Sequence, residues 1–397
     1  MLRQPGAALK AHLQPHDPND GGRQTIFNLI LSAPSVVVIA RWLWPLSLPW
    51  WGTGAFTITL LFVSQYHFWS RLSSGSVFAP EFPRAIIILF NWAFGAVALL
   101  AVLQILLDLG TLTVMLVQLR AVIVPDTLRY AIAAVAAIVA AIGVASALRV
   151  PPVKDIEVAL RDLPLEFDGY RLLQLTDLHI SRLFPANWAK RMVDRANASG
   201  VDLIVVTGDF IDGSVAMRRA DVEPLRKLRA VDGVFAIPGN HEYFFEYSAW
   251  MRHLADMGIH MLENSHAILR RGDARLVLAG VTDSSAPAHG ELGPDLGAAL
   301  AGAPGGAPVL LLDHQPRGAR RAAASGVALQ LSGHTHGGMN VGLDRLVAKA
   351  NGGFVSGRYE IDGMTLYVSN GTALWPGFAL RLGRPSELTR ITLRSSI

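Results

Sequence analysis

From Ala85 to Leu107 the chain reads AIIILFNWAFGAVALLAVLQILL, without one Asp, Glu, Lys, Arg or His. A helix of that length and composition spans a hydrocarbon core of about 30 Å, and a soluble domain has few places to bury it. Tyr130 to Leu148 (YAIAAVAAIVAAIGVASAL) is a second such stretch. Between Trp42 and Ser70 there is again no Asp, Glu, Lys or Arg, and Pro45 and Pro49 break the run near its start. This reads as the end of one span, a short turn and another span. The first would begin near Ile26 and end near Arg41, whose long side chain can snorkel. Four spans are therefore expected.

Other features agree with a lipid-facing third. Six of the nine tryptophans (Trp42, Trp44, Trp50, Trp51, Trp69 and Trp92) fall here, most near expected span ends, as an interfacial belt requires. Hydrophobic residues make up 51% of the 397, charged residues 17%, and the mean hydropathy is +0.35, too apolar for a wholly soluble chain. The first 24 residues are polar, without a small-residue cleavage site, so one cleaved signal peptide does not account for the runs. Ionisable groups are scarce inside the spans, which excludes an ion or proton pathway and leaves an anchor. Four spans put both termini on one side. Arg3, Lys10, Arg23, Arg71, Arg84, Arg149 and Lys154 lie there, against Arg120 and Arg129 opposite, so the positive-inside rule places the C-terminal part in the cytoplasm. The apolar Gly110–Val124 stretch is the weak point, since a further span there would reverse the side.

After Pro151 and Pro152 the rhythm changes. DIEVAL (155–160) alternates like a half-buried strand. RLLQLTD, VDLIVVTGD, GVFAIPGN, RLVLAGVTD, PVLLLDHQP and VALQLSGH are short apolar runs separated by helix-like segments, two of them near Ala186–Ser199 and Val222–Arg229. This is an α/β pattern. The expected domains are a polar tail (1–25), a transmembrane helical anchor (26–150) and a catalytic domain (151–397). No cysteine is present, which excludes disulfides, thiolate metal sites and cysteine nucleophiles. The net charge is only +4 and no dense basic run occurs, so nucleic acid is not an expected partner.

Five of the apolar runs end in metal-type ligands: Asp177 and His179, Asp209 and Asp212, Asn240 with His241 and Glu242, Asp313 with His314, and His334 with His336. Singly these are turn and cap residues. Together they occupy the carboxyl ends of strands, where open α/β sheets build their sites. Oxygen donors mixed with imidazoles suit Mn²⁺, Fe, Zn²⁺ or Mg²⁺. So many ligands exceed the needs of one ion and match a pair about 3.5–4 Å apart, which clamps a phosphoryl centre and supplies hydroxide near neutral pH. A protein nucleophile is then unnecessary. No G-x-S-x-G elbow occurs.

The ordered set TDLH (176–179), GDFID (208–212), GNHE (239–242), His314 and GHTH (333–336) resembles the calcineurin-like metallophosphoesterases, from about Ile156 to the C-terminus. LEN (262–264), GHTHGG and FALRLGRPSELTRITL (378–393) resemble a bacterial membrane-anchored branch. The resemblance implies a four-layer αββα sandwich of two mixed sheets. It implies Asp177, His179 and His336 on one metal, Asn240, His314 and His334 on the other, and Asp209 bridging. His241 would be the catalytic general acid and Asp212 would orient a ligand or loop. Met339 stands where relatives often carry Gln, which removes a polar contact.

The function so implied is a membrane-anchored, dinuclear phosphohydrolase of a bacterial inner membrane. It would cleave phosphate monoesters, diesters or pyrophosphates by attack of a metal-bridging hydroxide. Phosphorylated small molecules or lipids are the expected substrates, the lipid-linked ones because of the anchor. The alternative is a membrane receptor or scaffold whose domain binds a phosphorylated ligand without turnover. The aromatic stretch YFFEYSAW (243–250) either covers the site or packs into the domain.

Overall fold

The computed structural model describes residues 31–396. The polar tail and the expected start of the first span near Ile26 lie outside the described residues. Two compact units divide the chain. One comprises the chain up to Phe68 together with Val97–Ala136, and the other Trp69–Ala96 together with everything from Ala137 onward.

Among the described residues five helices precede the first strand: α1 (Leu31–Leu43), α2 (Trp50–Ser64), α3 (Tyr66–Ser74), α4 (Arg84–Gln118) and α5 (Asp126–Leu148). Among the described residues only α4 and α5, of 35 and 23 residues, are long and apolar enough to cross a membrane. Of the four expected spans, two stand as candidates among the described residues, and for α2 length is the reason. The 15-residue α2 extends only about 22 Å, short of the roughly 30 Å core. Gly110–Val124 adds no span, because α4 runs unbroken through Gln118. Arg41 does more than snorkel: its Nε donates to Asp108 Oδ2 at 2.9 Å inside the helical unit. Large apolar side chains such as Val102, Ile105, Leu106, Val135, Ile138 and Ile142 are exposed along both long helices.

The second unit carries two six-stranded sheets. The first contains β1 (Val153–Arg161), β2 (Arg171–Leu175), β3 (Leu203–Thr207), β4 (Val234–Ile237), β5 (His260–Met261) and β12 (Leu388–Ser396), in the order β1-β12-β2-β3-β4-β5. The second contains β6 (Ser265–Arg271), β7 (Ala274–Gly280), β8 (Val309–Leu312), β9 (Leu329–Ser332), β10 (Gly357–Ile361) and β11 (Met364–Val368), in the order β10-β11-β9-β8-β7-β6. Both sheets are mixed. β2, β3 and β4 are parallel, as are β7, β8 and β9, while β12 runs antiparallel to β2 and β6 antiparallel to β7.

Parallel strands covered on both faces read as unbroken apolar runs, and LIVVT of β3 is buried at every position. Leu172, Val205 and Ile391 of the first sheet meet Leu276, Leu310 and Leu329 of the second in one core between the sheets. A second core covers the outer face of the first sheet, with Trp188 and Met192 of α6 (Ala186–Asn197), Val222 of α7 (Val215–Val222) and, beyond the short α8 (Asn240–Phe244), Trp250 of α9 (Tyr247–Asp256). A third lies outside the second sheet, beneath Ala299 of α10 (Leu296–Leu300) and Ala322 of α11 (Ala319–Ala324). Each buried Leu, Ile or Val contributes about 1.5–3 kcal/mol relative to exposure.

The helix expected near Val222–Arg229 begins earlier. Ser214 caps α7 by accepting from Met217 N–H, and Pro224 then tightens the chain into a 3₁₀ turn, Glu223–Lys227. The catalytic-type residues all belong to the second unit. That unit also takes in the first turns of α4 and the last turns of α5, so its limits are wider than 151–397.

Candidate metal centre

Each candidate ligand sits just past a buried strand, and the backbone there is bent unusually. Asp177, His179, Asp209, His334 and His336 all have positive φ, between 42° and 67°. Such conformations are uncommon for non-glycine residues, and clusters of them mark sites where strain is held for a purpose. Long-range bonds hold them. Asp177 N–H donates to Gly208 O at 3.0 Å and His179 N–H to Asp209 O at 3.1 Å, locking the β2 and β3 loops together. Both Asp177 oxygens accept from His334 N–H, at 3.1 and 3.2 Å, joining the two sheets. The approach is close enough to require Gly333: a Cβ there would lie 2.1 Å from Thr176 Oγ1 and 2.4 Å from Asp177 Oδ2.

Two groups of donor atoms result. In the first, His179 Nε2 and His336 Nε2 face each other at 3.2 Å, with Asp177 Oδ1 at 3.5 Å from the latter and 4.0 Å from the former. In the second, Asn240 Oδ1 lies 2.9 Å from His334 Nδ1 and 3.1 Å from His314 Nε2. His314 Nδ1 donates to Thr207 O at 2.7 Å, a carbonyl that can only accept, so Nε2 is the atom turned to the site. One oxygen, Asp209 Oδ2, reaches both groups, at 3.8 Å from His179 Nε2 and 3.3 Å from His314 Nε2.

The residues fit metal ions. Ligands about 2.1 Å from one cation lie roughly 3.0–3.4 Å apart, close to the spacings within each group. Burial pushes His336 well below its ordinary value, with His179 adding to the shift, and pushes His334 down to about 3, so both imidazoles are neutral. His179 Nε2 and His336 Nε2 face each other at 3.2 Å, and a cation between them would satisfy a lone pair from each. Asp177, His179 and His336 form one buried cluster able to hold an ion, and Asp209, His314 and His334 another.

His241 stands between Asp212 and the first group. Its Nδ1 donates to Asp212 Oδ1 at 2.5 Å, and Asp212 Oδ2 lies 3.2 Å from His179 Nδ1. Burial opposes charge on the His241 ring, but Asp209 and Asp212 outweigh it and raise its pKa to about 9. The ring is therefore protonated at neutral pH.

The calcineurin-like phosphoesterase family model matches residues 170–338. An uncharacterized metallophosphoesterase of Bacillus subtilis is 31% identical over 243 residues, covering 59% of this chain and 82% of that protein. This chain belongs to the calcineurin-like phosphoesterase family. A Danio rerio transmembrane protein with metallophosphoesterase domain is 33% identical over 274 residues, or 66% of this chain and 62% of that protein. A Bos taurus protein of the same name is 32% identical and is covered over 61% of its length. The chain thus spans about three fifths of these two relatives.

Within this family member the structure adds residues to which no role was given from sequence. Glu242 has both oxygens inside the backbone of two loops, accepting from Gly239 N–H at 2.7 Å, Asp209 N–H at 3.0 Å and Phe210 N–H at 2.7 Å. Three residues after Gly239, it supplies the half of a capping box that a glycine N-cap allows, a carboxylate reaching back to the Gly239 N–H. Arg381, 2% exposed, donates to the carbonyls of His336, Arg384, Asn370 and Ala373, and so fixes the loop behind His336. Met339 packs against the core on the outer face of the first sheet. The 243–250 stretch divides: Trp250 is fully buried with Nε1 donating to Gly213 O, while Phe244 lies beside His241 at a 5.1 Å ring separation.

Proposed function

We propose that this chain is a membrane-anchored phosphohydrolase acting on phosphate monoesters, diesters or pyrophosphates. Asp177, His179 and His336 would hold one divalent ion, Asn240, His314 and His334 a second, with Asp209 shared. The observation that carries the reading is Asp209 Oδ2, which reaches both imidazole groups at 3.8 and 3.3 Å. When bound, such a pair of ions supplies Lewis-acid charge stabilisation and a water acidic enough to ionise near neutral pH. The ligand set has no sulfur and suits Mn²⁺, Fe, Zn²⁺ or Mg²⁺.

The chain's own contribution is positioning and proton supply. Glu242 and the positive-φ loops fix Asp209 before any substrate arrives. His241, held protonated against Asp212, donates to the departing oxygen as general acid. The anchor is supported by α4 and α5. Arg71, Arg84, Arg149 and Lys154 flank the catalytic side of these helices and Arg120 the turn between them, which favours a cytoplasmic domain. The bacterial-branch motifs favour a bacterial inner membrane. Anchoring near a bilayer favours a lipid-linked phosphate or pyrophosphate as substrate.

The test is full-length protein, stripped of metal and reloaded with Mn²⁺, assayed on p-nitrophenyl phosphate, bis(p-nitrophenyl) phosphate and a panel of lipid phosphates. Turnover that requires metal is expected. Two bound ions with no turnover on any of these would sink the reading in favour of a binding domain.

A further inference from the structure

The segment just before α4, residues 75–83, lies outside the stretch matched by the family model, yet it reaches the candidate site. The Phe78 ring stands edge-on to His241, with centroids 5.1 Å apart and planes at 67°. It stacks on Phe244 at 5.0 Å and 17° and meets Trp375 edge-on at 5.7 Å. These aromatic residues come from three separate places: the loop before α4, the end of the short helix Asn240–Phe244, and the loop after β11. All three are half-buried, so each keeps a face or edge toward solvent.

The segment is fastened. Glu81 pairs with the fully buried Arg218 and accepts from Arg182 Nε at 2.8 Å, and Arg84 Nε donates to Leu183 O at 2.9 Å. Arg218 in turn donates from Nε to Asp212 O at 2.9 Å. The same arginine therefore holds Phe78's segment and the residue that orients His241. Phe78 is thus placed with the same firmness as the imidazole beside it.

A leaving group protonated by His241 must depart along His241's side of the site. There it meets three aromatic surfaces. Phe78 and Phe244 turn one face to each other, and neither ring offers hydrogen bonds to a base edge or to sugar hydroxyls, so what they present to a leaving group is apolar carbon. We propose that Phe78, Phe244 and Trp375 form a leaving-group subsite that selects phosphate esters of apolar alkyl or acyl-bearing alcohols. The proposal rests on the phosphoesterase reading of the site.

The test uses full-length, Mn²⁺-loaded protein in nanodiscs and n-alkyl phosphates from methyl to octyl, below their micellar concentrations. Burial of methylenes predicts kcat/KM rising about threefold to fourfold per added CH₂ over the first few. Phe78→Ala is expected to cut the octyl-to-methyl ratio about tenfold, and Phe78→Leu to restore most of it. Binding of octyl- against methylphosphonate, followed by isothermal titration calorimetry, reads the same ratio without turnover. A flat chain-length profile in the unmutated protein, or an unchanged ratio in Phe78→Ala, overturns the subsite. Should Phe78→Ala fail to fold, Phe78→Leu and Trp375→Leu carry the comparison. If no ester is cleaved, the phosphoesterase reading fails by itself, and the phosphonate ratio still decides the wall.

Discussion

Asp212 and His241 form the shortest link between the loops of β3 and β4, 2.5 Å from Oδ1 to Nδ1. The other Asp212 oxygen lies 3.2 Å from His179 Nδ1, so one buried carboxylate orients both a candidate metal ligand and the candidate acid. The His179 and His241 imidazoles outweigh burial and keep Asp212 below the usual carboxylate range. Asp212→Asn removes a charge that raises the His241 pKa from its ordinary value to about 9. The sign is then fixed: the proton leaves His241 at lower pH in the variant. The alkaline limb of the kcat/KM profile should move toward neutrality in Asp212→Asn, and an unmoved limb would refute the pairing.

His241→Ala tests the acid directly. Removing a general acid typically costs about 10²–10⁴ in rate when the leaving group needs a proton. The expected loss is large for alkyl phosphates and small for p-nitrophenyl phosphate, whose leaving anion is stable unprotonated. Equal losses on both substrates would mean His241 serves binding and not proton transfer.

His334 and His336 are separated by one residue yet face different donor groups, His334 toward Asn240 and His336 toward His179. Each alanine variant should therefore drop metal content from about two ions per chain to about one, measured by inductively coupled plasma mass spectrometry. The remaining ion should differ between the two, distinguishable with Mn²⁺ by its electron paramagnetic resonance signal. Loss of both ions in each variant would show a single cooperative site.

Much of this was legible because the residues mark the ends of apolar runs. Asp177, Asp209, Asn240, His314 and His334 each follow a buried strand, and a strand's end dictates where its next side chain points. The clamping glycines were visible as well. Other features had no local signature. β1 pairs in parallel with β12, from Val153 against Leu388 to Arg161 against Ser396, across the whole domain, and no short window encodes a partner so distant. Phe78 and Glu81 sit in a short Pro-containing loop without periodicity, and Arg381 looks like any other arginine until its guanidinium is found holding four carbonyls. For α2 the question was length: its uncharged composition was visible, but the turn at Gln65 that ends it after 15 residues was not.

Glu242→Gln tests the loop scaffold. The carboxylate accepts from three backbone N–H groups, and a glutamine would turn its NH₂ toward one of them. An unmade buried bond costs about 1–3 kcal/mol. The expected outcome is a lower thermal midpoint together with weaker Mn²⁺ binding, since Asp209 N–H is among the three. A variant with unchanged midpoint and affinity would reduce Glu242 to a bystander.

The last prediction concerns the ends of the long helices, which are built into the catalytic unit. Asn91 of α4 is 1% exposed; its Nδ2 donates to Pro376 O at 2.9 Å and its Oδ1 accepts from Ala379 N–H at 2.5 Å. Two residues on, Arg381 N–H donates to Gly143 O of α5, while the Arg381 guanidinium holds His336 O. Leu380 packs closely over Gly143, where a Cβ would lie 2.6 Å from its Cδ1 and force that side chain to move. A fixed path therefore runs from Asn91 through the 376–381 loop to a candidate metal ligand. Asn91→Ala leaves a buried N–H and a buried carbonyl each short of a partner, at about 1–3 kcal/mol apiece. It should lower the thermal midpoint and weaken metal binding in the His336 group more than in the His334 group. A fragment beginning at residue 151 loses the Asn91 and Gly143 contacts and should aggregate or fail to load two ions. If that fragment instead stays monomeric and binds Mn²⁺ as tightly as the full chain, the helices are only a tether and the path carries nothing.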